Sequence, residues 1–76
     1  MKIKTYTNGN RQVIMGRRDG DNAFYVESNV WDGTKWHYGH NHPYKSLAAA
    51  ERSAQKMVAE ISSGWTANPT WTVKEF

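Results

Sequence analysis

Three histidines within six residues are the densest group in this chain that could do chemistry: His37, His40 and His42. Neutral imidazole rings this close together could bind zinc or nickel. Structural zinc sites usually include cysteine among their ligands, however, and the sequence contains no cysteine. We therefore interpret the three histidines as a polar strand end and loop before Pro43, and we expect no bound metal.

Other arrangements typical of catalysis or metal binding are incomplete in the sequence. Asp19 and Asp21 are spaced like the first ligands of a calcium loop, but the glycine and the glutamate expected further along are missing, which favours a turn. No serine stands in a strand-turn-helix elbow, and no glycine-rich segment is suited to holding phosphate. Glu27 and Glu51 have no visible partner for acid-base chemistry. We expect a protein that is not an enzyme and needs no cofactor.

Length and composition limit what the chain can be. Its 76 residues predict a single domain, 1–76, with one modest hydrophobic core, to which four tryptophans, four tyrosines and two phenylalanines can contribute. The lack of cysteine favours a reducing compartment, and no apolar run has the length of a signal peptide or a membrane span. We therefore expect a cytoplasmic location and no membrane contact. The net charge of +3 permits contact with phosphates or acidic proteins but is not that of a strongly basic binder.

Turn signals at short spacing predict a series of hairpins before the first helix. The strand candidates Lys2 to Thr7 and Arg11 to Arg17 are joined by Asn8-Gly9-Asn10, whose Asn-Gly pair favours a tight turn. Val13-Ile14-Met15 is apolar on both faces, which predicts that the second strand lies inside the sheet. After a turn at residues 18–22, apolar and polar residues alternate in the way typical of a half-buried strand.

The third hairpin can form in two registers that place its aromatic rings on opposite faces. If Asp32-Gly33 alone form the loop to a strand at residues 35–38, Tyr25, Trp36 and Tyr38 lie opposite the core as an aromatic surface. If Trp31 joins a three-residue loop, Trp36 and Tyr38 enter the core. We favour the second register because a small domain needs large rings inside. The open face then carries Tyr25, Glu27, Lys35 and His37.

A helix and a last strand follow Pro43, which marks the end of the first group of strands. Ser46 is suited to cap a helix over Leu47 to Ser63, and Gly64 is suited to end it. Apolar residues at helical spacing form one stripe: Leu47, Ala50, Ala54, Met57, Val58 and Ile61. The segment from Thr70 to Phe76 predicts a strand. The expected fold is α+β, an antiparallel four- to five-stranded sheet in ββββαβ order with one amphipathic helix packed on one face.

Four features lie between Arg11 and Glu60 in an order shared with known DNA-binding domains. They are Phe24-Tyr25-Val26, the Asp32-Gly33 hairpin, Trp36, and the entry into the helix at residues 44–50. In outline this stretch resembles the three-stranded sheet plus helix of phage-integrase arm-binding domains and of plant ethylene-response DNA-binding domains. The resemblance implies a sheet that enters the DNA major groove, with basic counterparts at Arg11, Arg17 and Lys35.

The chain as a whole is small, contains no cysteine and shows no group of catalytic residues. In these features it resembles the inhibitor proteins that phages and mobile elements encode, including anti-CRISPR proteins. This resemblance implies a non-catalytic protein that occludes a site on a host protein or nucleoprotein complex in the host cytoplasm. The alternative is a sheet-based module that binds double-stranded DNA. An exposed last strand could also pair in a homodimer. By residue type, the expected partner-binding residues are Arg17, Arg18, Tyr25, Trp31 and Lys35.

Overall fold

A computed structural model describes residues 1–20, 22–64 and 70–76, except for the side chain of His40. The elements follow one another as β1 (Lys2–Asn8), β2 (Arg11–Arg17), β3 (Phe24–Trp31), β4 (Trp36–Tyr44), α1 (Leu47–Ser63) and β5 (Thr72–Glu75). The strands form one antiparallel sheet in the order β4-β3-β2-β1-β5. The predicted α+β class and the ββββαβ order are therefore confirmed.

Helix α1 begins and ends where the capping residues predict. The Ser46 hydroxyl accepts a hydrogen bond from the Ala49 N–H at 3.2 Å, which satisfies one of the unpaired donors of the first turn. At the other end, the Gly64 N–H donates to the Ser62 carbonyl. Because α1 follows β4 at one edge of the sheet and precedes β5 at the other, the helix connects the two edges across one face.

The hydrophobic core lies between α1 and the middle strands. Ala50 and Ala54 are fully buried against the sheet, since small side chains let the helix approach closely. The central position of β2 is confirmed, because Val13, Ile14 and Met15 are all buried. Leu47, the first residue of the apolar stripe, is in contrast 43% exposed. It lies in the first turn of α1, over an open depression rather than over the closed core.

The β3–β4 hairpin has neither of the two predicted loops. Trp31 pairs with Trp36, which leaves a four-residue loop at residues 32–35 that includes Lys35. The Asp32 carboxylate holds this loop by accepting the N–H groups of Thr34 at 2.7 Å and Lys35 at 2.8 Å. A side-chain acceptor at the first loop position favours such a turn over a two- or three-residue loop.

A bulge in β4 completes the difference in register. Ser28 pairs with His40 and Asn29 with Tyr38, so Gly39 is the extra residue. Tyr38 and Trp36 lie on the face of the sheet away from α1 because the four-residue loop pairs them with Asn29 and Trp31. The prediction that these two rings enter the core is therefore wrong. The bulge then brings Asn41 onto the same face. Strand β4 also continues through Pro43 to Tyr44, because an edge strand tolerates a residue without an N–H.

No helix within the described ranges combines the length and the apolar character needed to traverse a bilayer.

Candidate functional site

The surface of the sheet on the side away from α1 is the candidate site, and we call it the open face. In the part of the chain that the structure describes, α1 is the only helix and it packs on the other side of the sheet. The side chains that matter most on the open face are Gln12, Glu27, Asn29, Trp31, Trp36 and Tyr38. Ile14 and Thr5 are buried on this face by the neighbouring side chains. The side chains of the open face are thus packed against one another, although no helix covers them in the described part of the chain.

Three aromatic rings lie together on the open face near the hairpin loop. The ring centroids of Trp31 and Trp36 are 5.5 Å apart in a tilted arrangement. Tyr38 follows on the same face and is 73% exposed, and Trp31 is 37% exposed. Large exposed aromatic side chains are enriched in the energetically important positions of protein interfaces. Trp31 was predicted as a binding residue, whereas Trp36 and Tyr38 were not, because their face depends on the register.

A network of amides around one carboxylate forms the centre of the open face. Glu27 accepts hydrogen bonds from the side-chain amides of Asn41 at 3.1 Å and Asn29 at 3.3 Å. The same Asn29 amide donates to the Gln12 side-chain oxygen in a long bond of 3.4 Å. Asn29 is only 3% exposed, and its own side-chain oxygen is buried without a hydrogen-bond donor. The centre of the face therefore carries more acceptors than donors.

The predicted partner-binding residues do not form one cluster. Tyr25 and Trp31 are both on the open face, but they are six positions apart in β3, which is roughly 20 Å along a strand. Arg17 and Arg18 lie at the Tyr25 end, where the Arg17 guanidinium donates to the Asn22 side chain at 3.0 Å. Lys35 lies in the loop at the Trp31 end. A single compact partner site can include one of these ends together with the centre.

The cations that the DNA-binding resemblance uses are not on the open face. Arg11 and Arg17 alternate with the buried Val13 and Met15, so the pleat places them on the α1 side. Arg11 lines a groove of about 270 Å³ there, together with helix residues that include Met57. The open face is consequently without the arginines that a sheet inserted into the major groove would present.

Lysines on the two faces have different roles. Lys4, on the α1 side, forms ion pairs with Glu51 at 3.0 Å and Glu75 at 3.7 Å. The hydrogen bond that Lys4 donates to Glu51 raises the pKa of Lys4 above its ordinary value. Lys74 pairs through the backbone with Thr5 and lies at the β5 edge of the open face, 4.9 Å from the Phe76 ring centroid. Positive charge on this face is therefore at its margin, away from Glu27.

The Asp32 carboxylate stabilises the hairpin loop beside the aromatic rings. Asp32 accepts two backbone N–H groups and also contacts the His37 ring nitrogen Nε2. The Lys35 N–H, followed by His37 and the Thr34 N–H, holds the pKa of Asp32 well below its usual range. The carboxylate is thus ionised at neutral pH and keeps the loop closed next to Trp31.

The residues considered for metal binding are only partly described. Among the described residues there is no group of three that could hold a metal ion. His37 contacts Asp32, and the His42 ring lies 6.4 Å from the Tyr44 ring. The side chain of His40 and the whole of Asp21 lie outside the described part of the chain.

The central network was missed in the sequence, although a signal for it exists. Glu27 and Asn29 alternate with the apolar residues of β3, and Gly39 is of the type that marks a bulge inside a strand. A bulge at Gly39 places Tyr38 and Asn41 on the same face despite their odd spacing.

Comparison with known proteins identified no matching family model, no matching curated protein and no matching solved structure.

Proposed function

We propose that this chain is a non-catalytic binding protein whose open face covers a site on another protein. We further propose that it acts as an inhibitor encoded by a phage or mobile element, in the cytoplasm of the host cell, against a host protein or nucleoprotein complex. The observation that carries the proposal is the aromatic group of the exposed Trp31 and Tyr38 and the half-buried Trp36 beside a well-packed polar centre. Rigid aromatic anchors of this kind bind protein surfaces at low entropic cost.

The charge of the open face supports a protein partner over DNA. Contact with phosphates requires lysine or arginine side chains. The centre of this face instead carries the Glu27 carboxylate, while Arg11 and Arg17 are on the α1 side. Binding of double-stranded DNA therefore ranks second, and it is tested beside the first proposal.

The dimensions of the open face indicate what else the interface includes. Five strands about 4.8 Å apart, with a mean length of seven residues, give a surface of roughly 20 by 23 Å. Stable interfaces usually bury about 800 Å² on each partner. The partner therefore extends beyond the sheet, and the loop at residues 32–35 is the adjoining exposed segment at the aromatic end.

The test is capture of a partner from a bacterial lysate on the immobilised protein, its identification by mass spectrometry, and a Kd measured with purified components. Tyr38→Ala should weaken the Kd by about tenfold or more, as expected for a central aromatic anchor. Gln55→Ala, an exposed position on α1, is the matched control and should leave the Kd unchanged. A Kd sensitive to Gln55 and insensitive to Tyr38 would contradict the open face as the binding surface.

A gel-shift titration with a labelled duplex at low salt tests the alternative. Non-specific DNA binders have a Kd of about 10⁻⁴–10⁻⁶ M at physiological salt and bind more tightly at low salt. We expect no shift at tens of micromolar protein. A shift that disappears steeply with added salt would favour DNA as the partner.

A further inference from the structure

Glu27 is a half-buried carboxylate that pairs with no cation among the described residues. Within the described part of the chain, its oxygens accept the side-chain amide hydrogens of Asn29 and Asn41. A carboxylate offers about four acceptor positions, and buried or half-buried carboxylates are usually paired with a positive group. No helix or loop within the described ranges covers the face around Glu27, so a cation of another protein can approach this carboxylate.

Two described lysines on this face, Lys2 and Lys74, form no ion pair with Glu27. Lys2 pairs with Gly16, two strands away from β3. Lys74 lies in the same cross-strand row, but β1 and β2 stand between β5 and β3. Three interstrand steps place it roughly 14 Å away, beyond the length of a lysine side chain. The negative charge at the centre of the open face therefore remains uncompensated within the described structure.

Other acceptors and an aromatic ring lie next to this carboxylate. Gln12, Asn29 and Tyr38 form one row across β2, β3 and β4, adjacent to the row of Glu27 and Asn41. The Asn29 side-chain oxygen has no donor, and Tyr38 is the diagonal neighbour of Glu27 across the two strands. Diagonal cross-strand neighbours are within reach of long and aromatic side chains.

We propose that Glu27 binds the guanidinium group of an arginine of the partner protein, with the Tyr38 ring stacked against it. This inference rests on the proposed function and specifies the chemistry of the partner. A guanidinium is planar, donates up to five hydrogen bonds and stacks on aromatic rings, whereas an ammonium group is a compact point charge. A carboxylate with unfilled acceptor positions beside an exposed ring matches the first group better than the second.

The probe is N-acetyl-arginine amide, titrated into the wild-type protein and followed by ¹H–¹⁵N NMR. We expect saturable shifts at Glu27, Asn29, Tyr38 and Asn41, with a Kd on the order of millimolar because so small a ligand buries little surface. N-acetyl-lysine amide should bind more weakly. N-acetyl-citrulline amide, which keeps the shape without the charge, should give no saturable shift. Equal binding of the arginine and citrulline compounds would overturn the inference without the use of any variant.

Two variants then locate the site. Glu27→Gln keeps the size of the side chain and should weaken the Kd for N-acetyl-arginine amide by about tenfold or more, since charged hydrogen bonds are lost. Glu60→Gln removes an exposed carboxylate from α1 and should leave the Kd unchanged. If Tyr38→Ala weakens binding of the partner protein but Glu27→Gln changes neither the Kd for the partner nor that for the probe, the proposed function stands and this inference fails.

Discussion

Replacing Tyr38 by alanine separates the observed β3–β4 register from the one expected from the sequence. In the structure Tyr38 is 73% exposed, so only about 27% of its surface is covered. A tyrosine side chain buries about 150–250 Å², and burial is worth about 25 cal/mol per Å². The covered part of Tyr38 therefore contributes about 1–1.7 kcal/mol to the free energy of unfolding. In the alternative register the ring faces the core, and truncation of a core aromatic residue costs about 3–5 kcal/mol.

The matched variant is Val26→Ala, on the other face of the neighbouring strand. Val26 is fully buried between β2, β4 and α1. Loss of two methyl groups costs about 0.8 kcal/mol each, and the cavity that remains adds to this, so we expect about 2–3 kcal/mol. The smaller valine side chain should therefore matter more than the larger tyrosine.

Urea denaturation followed by tryptophan fluorescence measures both effects. The midpoint should fall more for Val26→Ala than for Tyr38→Ala, while the slope m stays unchanged in both. If Tyr38→Ala lowers the free energy of unfolding by 3 kcal/mol or more, and by more than Val26→Ala does, the register is refuted. The composition of the open face is then refuted as well.

Two other predictions test local features of the fold. A Cβ added at Gly16 would lie 2.5 Å from the Tyr25 ring and 2.6 Å from the Met1 carbonyl oxygen, so Gly16→Ala should lower the free energy of unfolding by about 1–3 kcal/mol in the same urea assay. Gly64→Ala, where a Cβ meets nothing closer than 4.0 Å, is the neutral control. The depressed pKa of Asp32 means that its contribution to stability is complete above pH 3.8 and is lost as the pH falls below that value. An NMR titration of the Asp32 carboxyl carbon should have its midpoint clearly below 3.8, and a midpoint at the ordinary value would show that the loop hydrogen bonds do not form in solution.

Local chemistry made several elements of the fold predictable. The Ser46 cap and Gly64 define α1 through hydrogen bonds between residues close in sequence, and both ends are confirmed. The run Val13-Ile14-Met15 predicted a central strand, because a segment that is apolar on both faces of the sheet has to be covered on both faces. The candidate site was less predictable. Tyr25 and Trp31 were recognised by type, but their separation along β3 and the position of Arg17 on the α1 side follow from strand pairing.

The sequence by itself determined the class of fold, the order of the elements and the extent of the helix, since periodicity and capping act over a few residues. Only the tertiary structure decided which face receives Trp36 and Tyr38. That choice depends on the four-residue loop held by the Asp32 hydrogen bonds, because the loop length sets which residues of β3 and β4 pair. The bulge at Gly39 then shifts the pairing by one residue and brings Asn41 onto the same face. The uncovered Glu27 network arises from the same shift, because it needs three strands aligned side by side.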